Sequence, residues 1–101
     1  MSGYIVIPEA NADLLRIWLR IAEDSEDVAD RVQAEFHERF DSLSKHPGQG
    51  HSRTDYTKAK VLFVPLYSYL IAYRPGTDPL QILAIVHGAR QVKKILKQRK
   101  V

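Results

Sequence analysis

Hydrophobic positions recur along this chain with two different periods, and each change of period marks a new element. Tyr4-Ile5-Val6-Ile7 is a short apolar run stopped by Pro8, which predicts a buried strand. From Glu9 to Asp24 the spacing becomes helical: Ala10, Leu14, Ile17 and Ile21 fall on one face, with Trp18 beside them. Pro8 suits the first turn, and Glu9 and Asp13 lie near the positive end of the helix dipole. Ser25 reads as an N-cap ahead of Glu26 and Asp27. Ala29, Val32, Phe36, Phe40 and Leu43 then continue at steps of three and four, predicting a second amphipathic helix. The Asp24-Ser25 joint is so short that the two helices must fold back as a hairpin. Pro47, Gly48 and Gly50 end the second one.

Gln49 to Lys60 is a polar connector carrying Arg53, Asp55, Tyr56, Lys58 and Lys60. Val61–Val64, Tyr67–Arg74 and Leu80–His87 then read as three strands. The middle one sets Tyr67, Tyr69, Ile71 and Tyr73 on one face, with Ser68, Leu70, Ala72 and Arg74 on the other. Pro75-Gly76-Thr77-Asp78-Pro79 has the chemistry of a hairpin connection. Leu80–Val86 is apolar on both faces apart from Gln81, the mark of an interior strand. Gly88 permits a sharp exit, and Val92, Ile95 and Leu96 give a short final helix one apolar edge. The predicted order is an N-terminal strand, an α-helical hairpin, a three-stranded antiparallel meander and a short C-terminal helix. Laying the hairpin across one face of a four-stranded sheet satisfies every apolar stripe, so the expected class is a two-layer α+β fold.

At 101 residues the chain forms one domain, spanning 1–101, with a modest core. The absence of cysteine excludes disulfides and thiolate zinc ligation. No apolar stretch approaches a bilayer span and no signal peptide is visible, so a cytoplasmic protein without membrane contact is expected. The net charge of +3 conceals a division. Residues 1–46 carry ten acids against five bases, whereas residues 47–101 carry ten bases against two acids. Such asymmetry suits an anionic partner, nucleic acid or an acidic protein segment, with a solvated helix face as the simpler reading of the lysines alone.

Several segments, in this order, resemble the RelE/ParE superfamily of toxins from type II toxin–antitoxin modules. They are the N-terminal strand with Ala12-Asp13-Leu14 and Ile17, the Pro47-x-x-Gly50 break followed by Arg53, Tyr67-x-Tyr69-Leu70-Ile71-x-Tyr73-Arg74, and Ile82-Leu83-x-Ile85-Val86-His87-Gly88-Ala89-Arg90. The His-Gly-Ala-Arg ending is most similar to the ParE branch. The resemblance implies that the N-terminal strand lies beside the last strand of the sheet. It also implies a protein that inhibits DNA gyrase by binding, needs no cofactor, and is neutralised by a cognate antitoxin in a hetero-oligomeric complex. The alternative is a RelE-like, metal-independent endoribonuclease that cuts messenger RNA on the ribosome. Because the fold hosts both activities, the residues must decide.

A ribonuclease of this kind needs a base, an acid and cations for the transition state, for which His87, Arg90, Arg74 and Arg53 are the candidates. The RelE branch commonly uses an aromatic near its end, and none occurs here after Tyr73. Binding is therefore the expected mode, with no catalytic residues. Arg53, Arg74, His87, Arg90, Lys93, Lys94 and Lys97 would meet the target, and Trp18, Tyr67, Tyr69 and Tyr73 the antitoxin. Each has a plainer structural role beside it. His87 would close the strand around Gly88, the tyrosine row would pack the sheet, and Trp18 would fill the edge of the helix hairpin. Arg90, in the first turn of the last helix, is disfavoured by the dipole and would pair with Asp55, Asp78 or a partner's anion. His37, His46 and His51 are too scattered for a metal site.

Overall fold

The computed structural model describes residues 3–88 and 91–101. Strand β1 (Tyr4–Val6) leads into helices α1 (Pro8–Ala22) and α2 (Glu26–Lys45), then a two-residue strand β2 (His51–Ser52). Strands β3 (Leu62–Leu66), β4 (Tyr69–Arg74) and β5 (Leu80–His87) follow, and helix α3 (Val92–Gln98) comes last. The sheet runs β1-β5-β4-β3-β2, with β1 parallel to β5 and every other pair antiparallel. The parallel pairing beside the last strand is as the resemblance implied. The sheet has five strands and not four, because His51 and Ser52 of the connector pair with Phe63 and Leu62.

Local chemistry accounts for the helix ends. Pro8 opens α1, and the Ser25 side chain accepts the Val28 N–H at 3.2 Å to cap α2. The hairpin is tied on its flank by the Trp18 Nε1–H, which donates to Asp30 at 2.8 Å. Its inner stripes, Ala10, Leu14, Ile17, Val32, Phe36, Phe40 and Leu43, pack on Tyr69, Ile71, Tyr73, Leu80, Ile82 and Ile85. The second face of the sheet is covered too. Val92 and Leu96 of α3, with Tyr56 from the connector, close over Val61, Phe63, Ala72, Leu83 and Val86.

One strand boundary moves in an informative way. Tyr67 is not the first residue of β4 but lies in the turn that precedes it: Leu66 pairs with Tyr69, leaving Tyr67-Ser68 as a two-residue loop. Tyr67 takes the left-handed conformation there, φ +57°, and is 58% exposed, so the tyrosine row begins only at Tyr69. Tyr73, at its other end, is fully buried. The Tyr73 hydroxyl donates to the Pro47 carbonyl at 2.6 Å and accepts the Gly50 N–H at 2.9 Å, tying the exit of α2 to β4. A Cβ on Gly50 would stand 2.7 Å from that oxygen, so the break after α2 needs glycine for space.

Strand β5 is irregular, and the irregularity organises the molecule. Ala72 pairs with Ala84 and Tyr73 with Ile82, so Leu83 is an extra residue, a β-bulge. The bulge turns Ile85 toward α1, while Leu83, Ala84 and Val86 face α3. Pairing with β1 ends at Ile82, and on that edge beyond it the Leu83 carbonyl and the Ile85 N–H are met by side chains, while the other edge stays paired with β4. Asp13 of α1, 6% exposed, accepts the Ile85 N–H at 3.0 Å. The Arg99 guanidinium meets the same carboxylate as a fork, with contacts of 2.5 and 2.8 Å, and donates to the Leu83 carbonyl at 3.0 Å. Hydrogen bonding to Asp13, against some desolvation, holds the Arg99 pKa above its ordinary value.

Removing Asp13 strands the Arg99 charge, and removing Arg99 leaves the buried carboxylate only the exposed Arg16 and the Ile85 N–H. Arg99→Ala or Asp13→Ala is expected to cost about 3–5 kcal/mol in urea unfolding, and the apolar double variant Asp13→Leu/Arg99→Met much less than either alone. A loss under about 1 kcal/mol for Arg99→Ala would count against the clamp. Tyr73→Phe is expected to cost about 1–2 kcal/mol at neutral pH through its two lost hydrogen bonds. Burial raises the Tyr73 pKa above 10.0, partly opposed by the Gly50 N–H, so the folded state holds this proton more tightly than the unfolded chain. That increment is complete below pH 10.0 and is lost as pH climbs beyond it. The stability gap between the wild type and Tyr73→Phe should therefore shrink above that pH.

Candidate functional site

The C-terminal end of β5 borders a concave part of the surface. A cleft of about 290 Å³ opens there between α1 and α3. Arg16 and Arg20, one helical turn apart on α1, form one wall; Ile17, Ile85 and Ile95 of α3 form an aliphatic floor; His87 lines the mouth. His87 is exposed, and its ring lies 5.0 Å from that of Tyr69, centroid to centroid. The bulge is what aims it here, because strict alternation from Ile82 would turn residue 87 toward α3. His87 also sits where the strand closes: it pairs with Tyr69, and the Gly88 N–H donates to the Ser68 carbonyl at 2.9 Å. Gly88 has φ +70°, a left-handed conformation that favours glycine at this exit.

Arg53, Arg74, Lys93, Lys94 and Lys97, also named from sequence, do not line this cleft. Arg74 pairs across from Gln81, and His87 pairs across from Tyr69, so the two lie at opposite ends of the sheet, roughly 17 Å apart along β4. Arg74 is half-buried and donates to the Gln81 side chain at 3.0 Å. Arg53 lies on the connector, bonded to Asp55 through two nitrogens at 3.0 and 2.8 Å and stacked 4.2 Å above the Tyr56 ring. Hydrogen bonding within that pair raises the Arg53 pKa and lowers that of Asp55, to which the Lys93 charge also contributes. Asp55, one of the acids considered for Arg90, is engaged by Arg53. Lys93, Lys94 and Lys97 project from the exposed side of α3, opposite Val92 and Leu96. Arg90 lies outside the described residues.

The aromatic candidates separate as clearly. Tyr69 and Tyr73 are buried in the helix-facing core. Trp18 is half-buried on the helix hairpin, and Tyr67 is exposed at the β3–β4 turn. A hydrogen bond to Glu35 is the main cause of a raised Tyr67 pKa. Beside Trp18, Leu15 and Leu19 are more than half exposed, an apolar stripe along the outside of α1.

Sequence reasoning missed Arg16, Arg20, Asp13 and Arg99 as a group. The usable signal was Asp13: it falls on the same helical face as Ala10, Leu14 and Ile17, and a carboxylate on a buried stripe requires a cation. Arg16 and Arg20, spaced by four, had to share a side. Nothing distinguished Arg99 from the basic residues around it.

Chemically, the cleft offers guanidinium donors above an apolar floor, and α3 offers a separate lysine face. Among the described residues no cluster of histidine, aspartate or glutamate is arranged to hold a metal ion, and no helix is long and apolar enough to cross a membrane. A search of curated proteins found no match to the chain. Residues 4–92 match the family described as the ParE toxin of the type II toxin–antitoxin system, parDE. That stretch runs from β1 to the start of α3 and takes in the sheet, the helix hairpin, the bulge and all of the cleft's lining except Ile95; the chain belongs to the ParE toxin family.

Proposed function

We propose that this ParE toxin arrests growth by binding DNA gyrase in the cytoplasm, and that a cognate antitoxin neutralises it by covering its surface in a hetero-oligomeric complex. The observation that carries the reading is the exposed basic side of α3, where Lys93, Lys94 and Lys97 point away from the core. A cationic face of this kind raises encounter rates with gyrase and its bound DNA and adds affinity through phosphate contacts. Arg53 lies toward the same side of the sheet, its partner Asp55 feeling the Lys93 charge. Arg90 belongs to this proposal by its place in the sequence. For the antitoxin, the exposed Leu15 and Leu19 with the half-buried Trp18 beside them, and the exposed Tyr67 at the β3–β4 turn, are the apolar anchors.

The ribonuclease alternative asks His87, Arg90, Arg74 and Arg53 to act on one phosphodiester, and of these His87 and Arg74 stand at opposite ends of the sheet while Arg53 is on the connector. Their separation favours a binding protein, since acid–base groups must reach the same reacting atoms.

Incubating the purified protein with gyrase, ATP and supercoiled DNA should accumulate cleaved DNA, and translating ribosomes should yield no new message ends. Lys93→Gln/Lys94→Gln/Lys97→Gln should lower DNA trapping by about tenfold at low salt with an unchanged melting temperature. Full trapping by that variant would remove α3 from the target surface. Site-specific message cuts would replace the reading with the ribonuclease one.

A further inference from the structure

We propose that the cleft between α1 and α3 captures an acidic side chain flanked by aliphatic ones, presented by an extended segment of a partner protein.

Its charge is not cancelled from within. The Asp13 carboxylate already receives the Arg99 fork, one Arg16 nitrogen and the Ile85 N–H. Arg16 keeps further donors, because only one of its nitrogens is engaged and its side chain is 66% exposed. Arg20 has no ion-pair partner among the described residues. Two guanidinium groups on one helical face, with His87 at the mouth, favour an incoming anion, and their planar forks suit a carboxylate.

The floor narrows the choice of anion. Ile17, Ile85 and Ile95 present aliphatic carbon beneath the arginines. A bare phosphate, or the phosphates of a nucleic-acid strand, would satisfy the charge and leave that floor wet. An acidic residue next to a leucine or isoleucine satisfies both, since burying the aliphatic group contributes about 25 cal/mol for each Å² removed from water. The volume of about 290 Å³ accommodates one or two side chains, which matches a short peptide stretch and not a folded element. Nucleic acid has a better site in the open lysine face of α3, whose cations stand over no apolar floor.

The natural occupant rests on the antitoxin reading, because an antitoxin is the partner that the family supplies. The cleft is tested without one. The isotope-labelled full chain is titrated, in an NMR experiment, with acetyl-Leu-Glu-Leu-amide, with acetyl-Leu-Gln-Leu-amide, with inorganic phosphate and with single-stranded octathymidylate. The glutamate peptide should move the Arg16 and Arg20 side-chain signals together with Ile85 and Ile95. It should bind about fivefold more tightly than the glutamine peptide, the ratio expected of a partly exposed ion pair. Arg20→Gln, at an exposed position, should erase that preference while retaining the wild-type melting temperature, and Arg16→Gln should erase it with some loss of melting temperature, because Arg16 also holds Asp13. Lys97→Gln should leave it intact. Equal binding of the two peptides, or shifts confined to other surfaces, would overturn the inference. So would phosphate or octathymidylate moving the same four residues as strongly. None of these outcomes bears on whether gyrase is the target, which the DNA-trapping assay decides separately.

Discussion

A single carboxylate, that of Asp13, holds together parts of this fold that no hydrophobic contact could align. It sits on the buried stripe of α1, where an unpaired charge would be prohibitive, and three features converge to make it tolerable. The bulge at Leu83 frees the Ile85 N–H; β1 ends early enough to leave that edge open; Arg99 reaches over from α3 to complete the fork. Remove any one and the others become liabilities. The pair is better understood as a device for uniqueness of arrangement than as a source of net stability, since buried ion pairs seldom outperform well-packed apolar residues. Its geometric product is definite: α1 and α3, which cover opposite faces of the sheet, meet at one edge of β5 and leave the arginine-lined cleft between them.

The split between the two basic regions follows from the same arrangement. On α3 the apolar residues Val92 and Leu96 face the sheet, which leaves Lys93, Lys94 and Lys97 to the solvent. On α1 the arginines flank a recess whose acid is already neutralised. The first surface is open and suits long-range attraction to a polyanion; the second is enclosed and suits selection of a particular side chain. A toxin that must recognise both a target and an antitoxin has use for two cationic surfaces of different character.

Most of the fold could be read from periodicity because its apolar stripes are clean. Ala29 through Leu43 repeats at helical spacing and forms one helix, and Ser25 caps it as its chemistry requires. Leu80–His87, apolar on both faces, is an interior strand. What escaped was set by pairing partners and not by composition. Tyr67 continues an alternating pattern, yet the register of Leu66 with Tyr69 puts it in a turn. The two-residue strand at His51 carries no periodic signal at all. The site was harder still. Arg74 and His87 each stand at the end of a strand, but only the antiparallel register reveals that these are opposite ends. Asp13 was visible as an acid near a helix start, where the dipole offers a sufficient explanation, and that explanation hid its true partner 86 residues away.

The extra residue in β5 carries a lesson about regularity. Excising Leu83 would leave a strand whose alternation is tidier, with Ile82, Ala84 and Ile85 in consecutive in-out-in order against β4. An idealised redesign would favour that shorter strand. It would also delete the carbonyl that receives Arg99 and withdraw the amide offered to Asp13. In this molecule an untidy ladder is the more informative one: the defect is the socket into which the distant end of the chain is plugged.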